Sequence, residues 1–370
     1  MTVQRLLDKD TFLLGTFTTN CSSGMTITTI PERWDGSWDE NLKLANMLDE
    51  AGIDFMLPVA LWVGNGGETN FHGSVLETMT WATGLLSHTN NLTVFATIHT
   101  AMNHPIVVAK QLATIDHISD SRIGLNIVAG WNQPEYEAFG LELPEDHETR
   151  YGYAQEWFDV IKKLSGTDGR FDHLGEYFIL KNVRSDPKPQ ENLPILNAAG
   201  SQVGREFAVR NADFLFTSAL DLARSKDENV QLKEQAQAEG SNVGVMTFAH
   251  VICRPKEKEA QDYLQYCARD NVDRVARDRT VDLNIAHSQS FPHDLLEQLR
   301  ESFAVGHCGF QLVGTPEQVA DGIVALHEAG FSGTTLSFVD YVEEFPYFRD
   351  NVLPILEERG IRTPVNKQAA

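Results

Sequence analysis

A chain of 370 residues with 42% hydrophobic residues can bury one large α/β barrel or two ordinary domains. Its net charge of −22 disfavours nucleic acid and anionic membrane surfaces as partners, because both are polyanions. No apolar run approaches the ~18–20 residues of a membrane span, and the N-terminus lacks the basic-then-apolar pattern of a secretory signal, so the chain reads as cytoplasmic.

Apolar strand-like runs alternate with helical patterns, which predicts βα units. Phe12–Phe17 reads as the first strand, and Asp39–Ala51 as a helix with Leu44, Met47 and Leu48 on one face and Gly52 as its stop. Ile53–Leu57, Leu92–Thr97 and Ile123–Val128 follow as strands, separated by helices over Val75–Leu86 and Ile106–Ile118. The stretch 129–150 is polar and irregular, and Tyr151–Leu164 is helical. Gly175–Phe178 looks like an excursion before the strand Ile195–Ala198, the helix Ser201–Arg210 and the strand Asp213–Phe216. Val243–Cys253 is the seventh strand, 270–312 is less regular, and Thr334–Phe338 is the eighth. Before that last strand, Thr315-Pro-Glu-Gln318 supplies an N-cap, a proline in the first turn and a capping-box glutamine. Eight strands alternating with helices predict a closed (β/α)8 TIM barrel. A doubly wound open sheet has less support, because no GxGxxG follows the first strand.

Function in such a barrel sits at the C-terminal ends of the strands. The polar residues there are Thr97 and His99, then Asn126 inside an otherwise apolar strand, then Trp131 and Glu135 beyond it. A buried amide needs hydrogen-bond partners, so Asn126 is the strongest of these. Gly200-Ser-Gln202 opens a helix and can receive an anion, with Arg150 available to add a charged fork. Taken singly, Glu135 is more ordinary as a solvated carboxylate, Arg150 as a surface cation and Trp131 as core packing. His72, His99, His104, His117 and His147 form neither HxxxH nor HExxH, and the four cysteines show no CxxC, so no metal site is expected. His99 alone among the histidines is a candidate for a substrate hydrogen bond or for general acid/base work, on barrel position.

Asn126-Ile-Val-Ala-Gly-Trp131, followed by Glu135 and Arg150-Tyr151, resembles the bacterial-luciferase-like flavin monooxygenases. The resemblance runs from about Phe12 to about Gly360. It implies one luciferase-like barrel domain over 1–370, with insertions near 129–150, 170–190 and 270–312. It also implies FMN, used as reduced FMNH2 with O2. Ala60, Leu61, Asn126, Glu135, Arg150, Tyr151, Gly200, Ser201 and Gln202 would bind the flavin. Leu57, Val59, Thr97, Asn126 and Trp131 would surround its reactive edge, and Phe71 with Trp131 would wall the substrate pocket. Asn126, Thr97 and His99 would be the catalytic residues.

With no nicotinamide fingerprint in the chain, reduced flavin would come from a separate NAD(P)H-dependent flavin reductase. The resemblance further implies a homodimer or homotetramer. The segments Phe71…Glu77 and Pro134-Glu-Tyr136 resemble members that open pyrimidines. Leu312-Val-Gly-Thr-Pro-Glu317 and Glu343-Glu-Phe-Pro-Tyr-Phe348 resemble members that cleave sulfones. The expected reaction is therefore oxygenation of a small heterocycle or amide with C–N cleavage, with C–S cleavage of a sulfone or sulfonate as the alternative. His99 stands where the pyrimidine-type members carry a small residue. Three other readings stay open: a deazaflavin-dependent hydride transfer, a non-catalytic flavin-binding protein, and a sugar-phosphate barrel. The last lacks a clear lysine or carboxylate pair at the strand ends.

Overall fold

The computed structural model describes residues 6–7, 11–287, 300 and 302–363. Its strands are β1 (Leu13–Phe17), β2 (Phe55–Leu57), β3 (Thr93–His99), β4 (Ile123–Val128), β5 (Phe171–Leu174), β6 (Ile179–Val183), β7 (Ile195–Ala198), β8 (Phe214–Phe216), β9 (Gly244–Cys253), β10 (Phe310–Gly314) and β11 (Gly333–Ser337). Eight of them close a parallel ring in the order β1-β2-β3-β4-β7-β8-β9-β11, and β11 pairs back to β1. Because helices cover a parallel barrel from outside, its strands are buried on both faces. Accordingly, every residue of β3 and β11 is buried.

Alternation along each strand sorts the side chains. Leu13, Phe55, Leu57, Phe95, Leu196, Phe214, Phe216 and Met246 pack together inside the ring. Leu14, Met56, Val94, Leu125, Val245 and Leu336 belong to the layer between strands and helices. The interior interlocks large against small: a Cβ on Gly124 would lie 2.5 Å from the Phe95 ring. The same two-residue period then lifts Thr97 and His99 above Phe95, and Asn126 and Val128 above Gly124, to the mouth of the barrel.

The helix before β11 begins as its sequence prescribes. Thr315 and Gln318 form the reciprocal capping box ahead of Pro316–Glu328. Other elements differ from expectation. β3 runs two residues beyond Thr97, so His99 belongs to the strand. The 170–190 stretch holds the antiparallel pair β5–β6. The 270–312 stretch holds a helix, Arg274–His287, and β10, which pairs with β9 outside the ring; its parts at 288–299 and 301 lie outside the described residues. The helix Leu222–Ala238 is not marked by apolar periodicity. Its buried residues are Ser225, Asn229, Leu232 and Ala236, so half of the inward stripe is polar and the apolar periodicity is masked. Asn229 donates to the Ala329 carbonyl at 3.0 Å, which explains an amide on that face.

Candidate active site

A cavity of about 250 Å³ opens at the C-terminal mouth of the barrel. Phe17, Phe216 and Phe248 lie along one side, with Phe216 and Phe248 stacked at 5.7 Å between ring centres. Thr97, His99, Asn126 and Val128 line the opposite strands, and Val59–Leu61, Trp131 and Gly200 complete the rim. Among the described residues, its lining carries no lysine, arginine, aspartate or glutamate.

Two facing residues on adjacent strands set the direction of hydrogen bonding. Thr97 and Asn126 are register partners of β3 and β4. The Thr97 hydroxyl donates to the Pro58 carbonyl at 2.6 Å, and that carbonyl can only accept. The Thr97 oxygen must therefore accept from Asn126, whose Nδ2 lies 3.1 Å away. This chain orients the amide, and Asn126 Oδ1 is left buried with no partner. A buried acceptor without a donor costs about 1–3 kcal/mol, so it calls for one from a bound molecule.

His99 forms the second polar feature. It is 4% exposed, and its Nδ1 lies 3.3 Å from Oε2 of Glu135, which is 0% exposed. The other oxygen of Glu135 accepts the Trp62 backbone N–H at 2.7 Å. Burial holds His99 down to about 4, which keeps the ring neutral. Burial also pushes Glu135 up to about 7, against the lowering effect of the Trp62 and Val63 N–H groups. Glu135 thus ties three elements together: the end of β3, the loop after β2 and the short helix Gln133–Ala138.

The turn after β4 is fixed from behind. Arg150 donates to the carbonyls of Gly130 (3.1 Å), Glu145 and Asp146 (both 3.3 Å), and the Tyr136 hydroxyl donates to Ala129 at 3.2 Å. Gly130 has φ 110°, and a Cβ there would lie 2.1 Å from the Tyr136 hydroxyl, so only glycine fits. Trp131 is presented to the cavity by this turn. Ser201 caps the helix Gln202–Asn211 by accepting from Gly204 N–H at 3.2 Å. Tyr151 packs beneath that helix, against Phe207 at 5.4 Å and against Gly204.

The structure therefore brings Thr97, His99, Asn126, Val59, Ala60, Leu61, Trp131 and Gly200 to one cavity. Glu135, Arg150, Tyr151, Ser201 and Gln202 stand around it without lining it. Glu135 and Arg150 are 0% and 5% exposed, so neither is the solvated charge that each suggests alone. Leu57 sits one layer below, within the ring interior. Phe71 is not in the wall. It is fully buried beside Ile27, Ala276, Val281, Phe303 and Cys308, stacked on His72 at 3.8 Å, because the loop after β2 folds back through a Gly66–Phe71 bridge. Phe17, Phe216, Phe248, Thr217, Ser218 and Asn284 also line the cavity. The three phenylalanines could have been found by counting inward positions to the strand ends. Nothing local marks Asn284.

Residues 13–333 match the family of luciferase-like monooxygenases. The chain belongs to that family. An FMNH2-dependent dimethylsulfone monooxygenase of Pseudomonas fluorescens (strain Pf0-1) is 30% identical over 344 residues, covering 92% of this chain and 93% of that protein. The pyrimidine monooxygenase RutA of Acinetobacter baylyi is 29% identical over 352 residues, covering 94% and 95%. Among solved structures, a riboflavin lyase with modified FMN and riboflavin superposes with a TM-score of 0.85 at 22% identity, over 96% of this chain and 93% of that one. At that identity the likeness concerns the fold.

Proposed function

We propose that this luciferase-like monooxygenase is the oxygenase of a two-component system. It takes reduced FMN from a separate NAD(P)H-dependent reductase and uses O2 to oxygenate a small substrate, a heterocycle or amide that loses a C–N bond. The observation that carries this reading is the Pro58–Thr97–Asn126 chain, which leaves one oriented acceptor unpaired inside an uncharged cavity. The residues fit the flavin. The phenylalanine side and Trp131 suit a planar ring, and Ala60 and Leu61 offer backbone groups at the rim. The Ser201–Gln202 helix start suits a phosphate, with Tyr151 packed beneath that helix and Arg150 behind the Gly130 turn.

Bound reduced flavin supplies the two electrons with which one atom of O2 enters the substrate and the other leaves as water. The protein supplies placement. Asn126 and Thr97 orient the reacting groups, and His99 holds or moves a proton at its cavity-facing nitrogen. Phe17, Phe216, Phe248 and Trp131 exclude water. Leu57 and Val59 back the reactive edge. The chain works in the cytoplasm as a homodimer or homotetramer.

C–S cleavage of a sulfone is the second reading, supported by the relative at 30% identity. The same residues would serve it. The test supplies photoreduced FMN under 18O2 with uracil-like heterocycles, amides and sulfones, and analyses products by mass spectrometry. A product carrying one 18O from a heterocycle or amide supports the first reading, and one from a sulfone supports the second. No labelled product from any of them, together with no binding of reduced FMN, overturns both.

A further inference from the structure

The contact between His99 and Glu135 has a chemical consequence that deepens the role proposed for His99. Neither His99 Nδ1 nor Glu135 Oε2 has a hydrogen-bond partner elsewhere, both are buried, and they stand 3.3 Å apart. A proton between them is the simplest way to satisfy either atom. An imidazole has two distinct nitrogens, and the bond made by one decides the state of the other. With Nδ1 turned to Glu135 and the ring lining the cavity, Nε2 is the nitrogen left for a bound molecule.

We infer that Glu135 is a positioning residue that sets the hydrogen-bond polarity of His99 toward the cavity. A protonated Glu135 donates from Oε2 to Nδ1, so the neutral ring carries its proton on Nε2 and presents a donor. An ionised Glu135 accepts from Nδ1–H, so Nε2 is bare and presents an acceptor. Going from the first state to the second, one proton leaves the pair and the imidazole changes tautomer without becoming cationic. The same cavity nitrogen is an acid in one state and a base in the other.

Burial places this exchange in a useful range. Glu135 is pushed up to about 7, and the ring is held neutral down to about 4. The surrounding groups leave that range intact. Tyr136, next to Glu135, is itself pushed up to about 12 by burial, with Arg150 beyond it acting to lower it. Glu77, across a small neighbouring cavity shared with His99, is exposed and accepts from the Met79 and Thr80 N–H groups. Trp62, Thr78, Thr97 and Asn103, the other polar neighbours there, do not titrate.

The inference is tested on the flavin-free protein, so its failure is separate from failure of the monooxygenase reading. Histidine ring nitrogens are labelled with 15N and followed by NMR from pH 5.5 to 8.5, with His99→Gln identifying the signals. The expected result is a neutral His99 throughout, protonated on Nε2 at the acid end and on Nδ1 at the alkaline end, with a midpoint near 7. Glu135→Gln keeps an acceptor for the Trp62 N–H and should hold one tautomer at all pH values. In turnover, the same variant should lose the inflection near pH 7 in kcat. An imidazolium forming near the ordinary histidine value, or a wild-type tautomer that never changes, overturns the inference. So does a Glu135→Gln variant that still switches. The wild-type titration decides the matter even if the variant fails to fold.

Discussion

His99 and His250 stand on opposite sides of the barrel mouth, each two residues beyond a cavity-lining residue on the inner face of its strand. Burial keeps both rings neutral, His99 held down to about 4 and His250 to about 3. Their surroundings differ. His99 borders the cavity and faces a carboxylate oxygen. His250 is 0% exposed, neither of its nitrogens has a partner, and the Gly306 backbone closes over it. Beside it lies His307, stacked on Phe303 at 5.0 Å, and His307 in turn lies 5.9 Å from His72, which bonds the Gly24 carbonyl at 2.6 Å. Among the described residues no group of side chains is placed to hold a metal there. Burial alone thus makes an imidazole neutral. A partner on one nitrogen and a cavity on the other make it directional, and only the β3–β4 side has both.

The largest test removes the oriented acceptor on that side. Asn126→Ala should lower kcat by about 10²–10³, the scale of losing one preorganised polar group at a reacting centre, with the circular dichroism spectrum unchanged. A loss below tenfold would place the reacting groups elsewhere. Arg150→Met removes the cation behind the Gly130 turn. It should weaken binding of reduced FMN by roughly 10–100-fold, the worth of a charge-assisted bond, read by anaerobic fluorescence titration. Unchanged affinity would assign Arg150 to the turn alone.

The other side of the comparison is tested through stability. An imidazole kept neutral by burial binds its proton less readily folded than unfolded. As pH falls below the ordinary 6.5, the unfolded chain gains protons that the folded one refuses. Stability should therefore drop as pH falls from 6.5 toward about 4, by up to about 1.4 kcal/mol per pH unit for each buried histidine. Glu135 works the other way. It holds its proton up to about 7, so its contribution is complete below the ordinary 4.5 and fades as pH rises through 7. Asp340 and Glu344, also raised by burial, act in the direction of Glu135, whereas the lowered carboxyls of Asp146, Glu156, Asp186, Glu228 and Asp350 act with the four histidines, so acid lability should win. His250→Leu should be near neutral in stability at pH 7, because it deletes an unpartnered polar group, and should reduce the acid slope by one histidine's share in urea unfolding at pH 5 and 7. An unaltered slope would mean that His250 is not held neutral.

The active half of this comparison was largely legible in the sequence. Strand alternation alone puts Thr97 and Asn126 on inner faces at strand ends, and the Asn126–Trp131 motif marks the loop beyond. The Glu135–His99 contact was not legible. It depends on how a six-residue helix after β4 returns to the end of β3, and on β3 extending two residues past its apolar run. Phe71 misled for a related reason: position in the chain after β2 says nothing about the bridge that turns it away from the mouth. On the inert side, His250 follows Phe248 in a strand that sequence defines well, yet its enclosure comes from Gly306–Cys308, a turn whose His307 has φ 46° and carries no strand or helix pattern. Local periodicity fixes which way a side chain points. Contacts made by irregular segments decide whether it meets a cavity or a lid.

The most direct measurement follows oxygen reacting with reduced FMN on the protein. Photoreduced FMN is mixed anaerobically with excess wild-type chain or Asn126→Ala, then with oxygenated buffer in a stopped-flow spectrophotometer. The account predicts that the wild type changes the course of flavin reoxidation relative to free FMN and that Asn126→Ala returns it toward the free course. Wild-type reoxidation indistinguishable from that of free FMN would contradict it.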